Sequence, residues 1–413
     1  MKIRKLISEE KYNYVAGSLW PLYNDFQNGL DSENHFVQNE INKYLEKCKQ
    51  DLFNEYDIDI NTAELTENEL GWDQLKKPIG WNIKDFDVIV KRKIKGLPSI
   101  KENIKHYCSI PQQTLNIDYQ GRVFTCMCEG WCPFPIGHIN DFTTFNDVLK
   151  STVNKSIIQS IDDRTYNFCD IDACGTRHQS KRKNPFLTII VGIDKSCNLT
   201  CPSCRERLIF FKDDKEINKR KEWVDKIYNI AELYSDEVEM VIGGNGEPFA
   251  SYVYEYLFEK FITLTNVKYQ IKTNGLLVKR EFEKLGKNFV DNIKELNLSI
   301  DAGTKETYEL VRRGAKWEQL LDNLDYIKNN NIVASANIII QKSNYNEANS
   351  FIDLCNKYNI EPRFSFVEDW GTWHNYAEHA VHIKTHPEYE NFKQIFSNLT
   401  SYDGVDKILG FNE

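Results

Sequence analysis

Residues 184–370 alternate between short apolar runs and helical patterns, and this alternation restricts the fold more than any other feature of the chain. Strands that alternate with helices predict a parallel sheet with right-handed crossovers. About 185 residues are too few for the roughly 250 residues of an eight-unit barrel. We therefore predict an α/β domain, either a partial (β/α)6 TIM-like barrel or a doubly wound sheet. The predicted strands are Phe186–Ile193, Val238–Ile242, Val267–Ile271, Glu295–Ile300, Ile332–Ile340 and Arg363–Val367.

Four regions are expected along the 413 residues. Residues 1–97 are mostly helical and of unknown role, and Cys48 lies on an apolar helical face, where we interpret it as an inert thiol. Residues 98–182 form a small cysteine-rich α+β module. Residues 183–370 are the α/β domain, and residues 371–413 are a C-terminal tail that closes the mouth of the barrel.

Two secondary-structure predictions apply to the cysteine-rich module. Gln120–Gly121 is a turn signal between the alternating segments Thr114–Asp118 and Arg122–Cys126, which predicts a hairpin. One helix is expected to follow, because Phe145, Val148, Leu149, Val153, Ile157 and Ile161 share a face. In the α/β domain, Cys355 falls in a helical pattern and is interpreted as structural.

The cysteines are crowded: of eleven in the chain, nine fall between Cys108 and Cys204. The first residues lack the apolar core of a secretion signal, so we expect a cytoplasmic protein with reduced thiols. Metal binding or catalysis then explains the cysteines better than a disulfide framework does.

Charge and hydropathy exclude two classes of partner. Asp plus Glu outnumber Lys plus Arg by 61 to 52, for a formal charge of −9, which argues against non-specific binding to nucleic acid. No run approaches the roughly 20 apolar residues of a membrane span. We expect neither nucleic acid nor a membrane as a partner.

Cys197, Cys201 and Cys204 form the strongest motif, with the spacing C-x3-C-x2-C directly after the first predicted strand. Soft thiolates select zinc, Cu(I) or iron–sulfur clusters. A structural zinc site has four protein ligands, and the fourth is missing here. Three cysteines on a [4Fe–4S] cluster would leave one iron open for another ligand.

This motif resembles the hallmark loop of the radical S-adenosylmethionine (radical SAM) superfamily. The resemblance implies that Cys197, Cys201 and Cys204 bind a [4Fe–4S] cluster whose open iron chelates S-adenosylmethionine (SAM). It further implies reductive cleavage of SAM to a 5′-deoxyadenosyl radical, which abstracts hydrogen from a substrate. An electron donor such as flavodoxin or ferredoxin is then an expected partner.

The motif after the second strand, Gly244-Asn245-Gly246-Glu247-Pro248, resembles the glycine–glutamate motif of that family. The resemblance implies that Gly244 and Gly246 allow close backbone approach and that Glu247 accepts from the SAM amino group. A Gly-rich turn with a solvated Glu is the alternative. Asn274, in Thr273-Asn274-Gly275 after the third strand, resembles a frequent family turn, although Asn-Gly alone is only a turn.

The fourth unit of the family contacts the ribose and carboxylate of SAM. By resemblance, Ser299 is expected at a ribose hydroxyl and Arg312 at the carboxylate, with Arg313 as the competing arginine. Asn337 and Gln341 are possible polar contacts. One departure concerns Ser203, which stands where the family usually has a bulky residue against adenine, so a member that binds SAM without cleaving it stays an alternative.

The second group of cysteines resembles the SPASM or twitch module of radical SAM enzymes, which carries auxiliary [4Fe–4S] clusters. Its spacing Cys108, Gly121, Cys126 is C-x12-G-x4-C, although the module usually follows the barrel and here precedes it. The resemblance implies one auxiliary cluster. Its expected ligands are Cys108, either Cys126 or Cys128, Cys169 and Cys174, with Cys132 the least certain. A zinc site from the same residues is the alternative.

The tail carries four histidines in 13 residues: His374, His379, His382 and His386. The last three would share a face if this segment were helical, but no acidic or cysteine partner shares it, so a metal site is disfavoured. Trp370, Trp373 and Tyr376 are expected to close the barrel mouth and contact substrate.

The sequence therefore predicts a radical SAM oxidoreductase or modifying enzyme. Its reaction is expected to oxidise, epimerise or cross-link a peptide. The same chemistry on a sugar or nucleotide-sugar in glycan biosynthesis is the alternative within this class. The alternative outside it is a non-enzymatic zinc-binding α/β scaffold, which has no need of the motifs after the second and fourth strands.

Overall fold

The computed structural model describes residues 107–128, 131–132, 135–162, 164, 166, 168–169, 174, 186–205, 207–368, 372–373 and 375–405. The helices expected in residues 1–97, with Cys48, lie outside these residues, as do Trp370 and His374. No helix among the described residues is long and apolar enough to cross a membrane.

The described residues are mixed α/β, with nine strands and ten α-helices. The strands are β1 Thr114–Ile117, β2 Arg122–Phe124, β3 Gly137–His138, β4 Phe186–Val191, β5 Glu237–Ile242, β6 Val267–Thr273, β7 Ile293–Ser299, β8 Ala334–Ile340 and β9 Glu361–Phe366. The helices are α1 Phe145–Lys150, α2 Thr152–Asp162, α3 Asp214–Glu232, α4 Tyr252–Phe261, α5 Val278–Leu285, α6 Lys287–Val290, α7 Lys305–Val311, α8 Trp317–Asn329, α9 Ala348–Tyr358 and α10 Tyr389–Phe396.

The chain divides into two compact units. The first takes its residues from Met1–Leu115, Arg122–His138 and Asn146–Asn184. The second takes Asn116–Gly121, Ile139–Phe145 and Pro185–Glu413.

In the first unit, β2 and β3 pair antiparallel, with Arg122 opposite His138. The prediction of a single helix around residues 145–161 is wrong, because the structure has two helices there, α1 and α2. The break is at Ser151, whose side-chain oxygen accepts from the Asn154 N–H at 3.1 Å and so caps α2. Ser and Thr favour caps over helix interiors, which explains the interruption.

The turn predicted between β1 and β2 is present and belongs to the second unit. The Gly121 N–H donates to the Asp118 carbonyl at 3.0 Å, and the Gln120 N–H donates to the Asp118 side chain at 3.0 Å. Gly121 has φ 79, in the left-handed region that favours glycine.

In the second unit, the strands β4 to β9 pair in parallel, each with the next along the chain. This sequential order confirms the predicted parallel sheet, and no strand end differs from its predicted bound by more than two residues. A doubly wound sheet reverses its strand order at a switch point, and here the order never reverses. Each right-handed crossover leads to the next strand in the same direction across the sheet, so the helices all cover the same face.

The covered face forms the core. Alternate strand residues such as Val238, Met240 and Ile242 are fully buried, as are Trp223 and Val224 of α3. Cys355 is buried within α9, as predicted. The opposite face of the sheet carries polar residues of intermediate exposure, which is typical of a partial barrel with an open interior.

Candidate functional site

The site is built on the loop that follows β4. Its first turn is fixed by Asp194, which is buried and accepts from the Ser196 N–H and the Ser251 hydroxyl, both at 2.6 Å. The Cys197 N–H donates to the Ile209 carbonyl at 2.9 Å. These bonds hold the beginning of the cysteine loop at the carboxyl end of the strand, where parallel α/β domains place their ligands.

The three thiols of Cys197, Cys201 and Cys204 differ in exposure. Cys201 is buried, Cys197 is partly buried and Cys204 is exposed. Burial raises the pKa of the Cys197 thiol to about 11, and burial also raises the pKa of Cys201. Without a metal both thiols are therefore protonated at neutral pH, and a metal would displace those protons to gain thiolate ligands.

Two guanidinium groups lie against these sulfurs. Arg312 Nη1 is 3.8 Å from Cys201 Sγ, and Arg205 Nη2 is 3.6 Å from Cys204 Sγ. Arg205 also donates to the carbonyls of Lys195 and Asn245, so it ties the cysteine loop to the loop after β5. Arg205 is not among the residues predicted from the sequence. The sequence feature that could have indicated it is the position of this arginine directly after Cys204, where its positive charge offsets thiolate charge.

Arg312, whose side chain is 13% exposed, forms an ion pair with Asp301, from Nη2 to Oδ2, at 2.7 Å. Its Nε has no hydrogen-bond partner in the part of the chain that the structure describes. Arg313, the competing arginine, instead donates from Nε to the Thr200 carbonyl at 3.0 Å. Arg312 therefore faces the cysteine loop with one donor unused, and Arg313 braces that loop from outside.

The glycine loop after β5 packs directly on the cysteine loop. A Cβ on Gly246 would lie 2.4 Å from the Ser196 carbonyl oxygen, so only glycine fits there. The Glu247 N–H donates to that same oxygen at 2.8 Å. Gly244 has φ 110 and open space where its Cβ would point. Gly246 is thus a close-packing position, whereas Gly244 borders open space.

Glu247 is 2% exposed and accepts from three donors of the protein itself. These are the Thr273 hydroxyl at 2.7 Å, the Asn274 N–H at 2.6 Å and the Phe249 N–H at 3.1 Å. Burial raises the pKa of Glu247 to about 7. A carboxylate has about four acceptor sites, so one is left for a ligand.

Asn274 joins the third strand to the cysteine loop, because its side-chain amide donates to the Asn198 side chain at 2.8 Å. Ser299 ends β7 beside Asn337 of β8. Gln341, by contrast, is buried and 4% exposed. The residues predicted after four successive strands therefore all lie at one edge of the sheet.

The first unit gathers four of the predicted auxiliary ligands. Burial, with a smaller contribution from the nearby thiols of Cys169 and Cys174, raises the pKa of Cys108 to about 12. Burial also raises the pKa of Cys126, and the thiols of Cys169, Cys108 and Cys174 add to that rise. The Cys128 backbone N–H donates to the Cys126 sulfur. In the described residues, no three His, Cys, Asp or Glu side chains are close enough together to hold a single metal ion.

The tail does not form the helix that would align its histidines. Tyr376–Glu378 is a short 3-10 turn, and the next helix, α10, begins at Tyr389. The ring of Trp373 stacks on His379 with centroids 4.1 Å apart. The Tyr376 hydroxyl donates to the Val367 carbonyl at 2.6 Å, directly after β9. Both aromatic residues are thus engaged within the second unit.

Residues 194–355 match the family model of the Radical SAM superfamily. GTP 3′,8-cyclase of Synechocystis is 23% identical over 175 residues, which span 42% of this chain and 52% of that protein. GTP 3′,8-cyclase of Limosilactobacillus fermentum is 27% identical over 199 residues, spanning 44% of this chain and 56% of that protein. The chain spans about half the length of the curated relatives it matches.

Among solved structures, native anSMEcpe with bound AdoMet aligns at a TM-score of 0.38 and 16% identity, over 55% of this chain and 63% of that chain. The family match covers the cysteine loop, the glycine loop and the strands that carry Asn274 and Ser299. Residues 194–355 are therefore a radical SAM superfamily domain.

Proposed function

We propose that this chain is a radical SAM enzyme. The carrying observation is the arrangement of Cys197, Cys201 and Cys204 on one loop at the carboxyl end of the first barrel strand, with two guanidinium groups against the sulfurs. When bound, a [4Fe–4S] cluster with SAM supplies an electron to the sulfonium and so a 5′-deoxyadenosyl radical for hydrogen abstraction.

The residues present fit this pair of cofactors. Three thiols without a fourth local ligand suit a cluster with an open iron better than a closed structural zinc site. Arg312 keeps an unpaired Nε in a buried position, and a buried donor without a partner costs about 1–3 kcal/mol unless a ligand accepts from it. The open space at Gly244 leaves room for a ligand beside the backbone.

The protein's own residues then bind and orient SAM. Glu247 has one acceptor site left and would take an ammonium hydrogen, which lowers the pKa of the carboxyl and keeps it ionised. Arg312 would donate from Nε to a carboxylate while Asp301 holds its other end. The Ser299 hydroxyl would donate to a ribose oxygen. These contacts orient the molecule and exclude water around it.

A second cluster on Cys108, Cys126, Cys169 and Cys174 is part of the proposal. Its support is that the thiols of Cys169 and Cys174 are close enough to both Cys108 and Cys126 to add to the rise that burial causes in the pKa values of those two thiols. This grouping and the spacing of the cysteines support a SPASM- or twitch-like module. One auxiliary cluster there would exchange an electron with a substrate radical or bind substrate.

For the substrate, we propose a peptide, on the resemblance of this second group to SPASM modules. A sugar or nucleotide-sugar is the alternative. The two are separated by incubating the reduced enzyme and SAM with candidates of each class and following mass changes of the substrate.

The test of the proposed function is whether the reduced protein forms 5′-deoxyadenosine from SAM. Protein reconstituted without oxygen is mixed with dithionite and SAM, and the nucleoside is quantified. We expect product from the wild type and none from a variant with Cys197, Cys201 and Cys204 changed to alanine. A Cys355→Ala variant is the control, because that thiol is buried in α9 away from the loop. Zinc without iron, and no nucleoside from the wild type, would contradict the enzyme and favour the zinc scaffold.

A further inference from the structure

The open face of the parallel sheet carries a group of hydrogen-bond donors next to the proposed SAM site. Lys272 of β6 lies beside Asn297 of β7, and Ser299 lies beside Asn337 of β8. Register partners in a parallel sheet point to the same face, and successive alternate residues of one strand do so too. Lys272, Asn297 and Asn337 therefore share the open face, close to the ends of the strands that carry Asn274 and Ser299.

Lys272 is an exposed cation on this face. Within the described ranges it has neither an ion pair nor a hydrogen bond, unlike the other lysines of the same region. Lys294 pairs with Glu239 at 2.6 Å, and Lys268 donates to the Asn292 side chain at 2.7 Å. Lys272 is thus the lysine of this face that has a charge to offer a ligand.

The two asparagines of this face each use their side-chain oxygen within the protein. Asn297 Oδ1 accepts from Arg363 Nη1 at 3.3 Å, and a guanidinium only donates, so this contact fixes which amide atom is oxygen. Asn337 Oδ1 accepts from the Ser365 hydroxyl at 3.2 Å. Both acceptor atoms are used by the protein, and both Nδ2 groups lack an acceptor in the described part of the chain.

Arg363 itself does not supply net charge to this group. It pairs with Glu295 at 2.9 Å and with Glu361 at 2.7 Å. Asp403 Oδ2 also lies 3.8 Å from its Nε. With three carboxylates around it, Arg363 offers a ligand no net positive charge, and its part is to hold Asn297 in place. Lys272 is the cation of this stretch that has no ion-pair partner in the described part of the chain.

We propose that Lys272, with the amides of Asn297 and Asn337, binds an anionic oxygen group of the substrate, either a carboxylate or a phosphate. One cation with two neutral N–H donors is a charge-assisted site for such a group. The site lies one residue before Thr273–Asn274, so it would hold the substrate beside the carboxyl ends of the strands. This inference rests on the proposed function, since it names the substrate chemistry of the same barrel.

The test measures anion binding directly. Reconstituted protein with saturating SAM is titrated by calorimetry with pyrophosphate in one series and malonate in another. Saturation with SAM keeps the probes out of the SAM carboxylate position. We expect binding of at least one probe, weakened at least about tenfold by Lys272→Met, since a charged hydrogen bond contributes about 1.5–3 kcal/mol.

Two further variants sharpen the result. Asn297→Asp keeps an acceptor for Arg363 but replaces the donor with a negative charge, so it should weaken anion binding at least as much as Lys272→Met. Lys287→Met is the matched control, because it removes the same charge from an exposed position on α6 and should leave affinity within about twofold.

Preference for pyrophosphate would assign a phosphate group, and preference for malonate a carboxylate. Binding of neither probe, or equal affinity in the wild type and Lys272→Met, would overturn the inference. The proposed function is judged separately, because 5′-deoxyadenosine formation is assayed on the same preparations without any substrate anion.

Discussion

At the scale of single residues, the buried pair of Arg312 and Asp301 is the most consequential interaction next to the cysteines. The two side chains are 13% and 2% exposed, so removing the cation leaves a carboxylate buried without a counter-charge. We expect Arg312→Met to lower the free energy of unfolding by about 3–5 kcal/mol in urea titrations of the metal-free protein. Arg313→Met, which loses an exposed contact to Thr200, should cost about 1 kcal/mol or less. Equal stability of the two variants would contradict this account.

Glu247 predicts a pH dependence of stability. Its folded pKa, about 7, lies above the ordinary value of 4.5 because the carboxyl is buried. The folded state therefore binds this proton more tightly than the unfolded state, and the group's contribution to stability is lost as pH rises from about 4.5 through 7. Denaturant titrations at several pH values give the free energy of unfolding of the metal-free wild type and of Glu247→Gln. Between about pH 4.5 and 7 this free energy should fall more with rising pH in the wild type than in the variant. Parallel curves would show that Glu247 does not titrate there.

At the scale of elements, the contact between the glycine loop and the cysteine loop sets the site. Gly246→Ala puts a Cβ 2.4 Å from the Ser196 oxygen and 2.9 Å from the Lys195 carbonyl carbon, so one loop has to shift. We expect SAM affinity to fall at least about tenfold, because misplacement of about 1 Å costs that much or more. Equilibrium dialysis with labelled SAM measures it.

Gly286→Ala is the control for this substitution. Gly286 lies between α5 and α6 with φ 81 and has open space around it, so alanine there costs backbone strain alone. We expect Gly286→Ala to lose stability but to bind SAM as the wild type does. Unchanged SAM affinity in Gly246→Ala would show that the two loops need not touch.

Some of the secondary-structure elements could be predicted from the sequence, and others could not. The buried strands were recognisable because residues such as Val238 and Met240 are apolar in a short run between helical patterns. The break at Ser151 was missed because the apolar face continues through it while a local cap decides the boundary. The conformation of the tail could not be predicted for a similar reason: His379 stacks on Trp373, a tertiary contact that sequence periodicity does not reveal.

The residues of the candidate site also divide into those that sequence motifs indicate and those whose place depends on tertiary contacts. The sequence points to Cys197, Cys201, Cys204 and Glu247 as candidates because they stand in motifs with a defined spacing. Arg205 belongs to no spacing pattern, and its role depends on where Lys195 and Asn245 present their carbonyls. Lys272 was likewise invisible, because the absence of a counter-ion is a property of the folded sheet.

At the scale of the whole molecule, the two groups of cysteines predict two clusters. Wild-type protein reconstituted without oxygen should hold about eight irons per chain, with four for each cubane cluster. Changing Cys169 and Cys174 to alanine should leave about four and preserve 5′-deoxyadenosine formation by the barrel cluster. About four irons in the wild type, unchanged in that variant, would confine the metal to the barrel.

The central claim is that the barrel cluster binds SAM through an iron that no protein residue ligates. The most direct measurement is the electron paramagnetic resonance spectrum of the dithionite-reduced protein, recorded with and without SAM. We predict that SAM shifts the signal of one reduced [4Fe–4S] cluster, and that this signal is lost when Cys197, Cys201 and Cys204 are changed to alanine. A wild-type spectrum that SAM leaves unchanged would contradict the account.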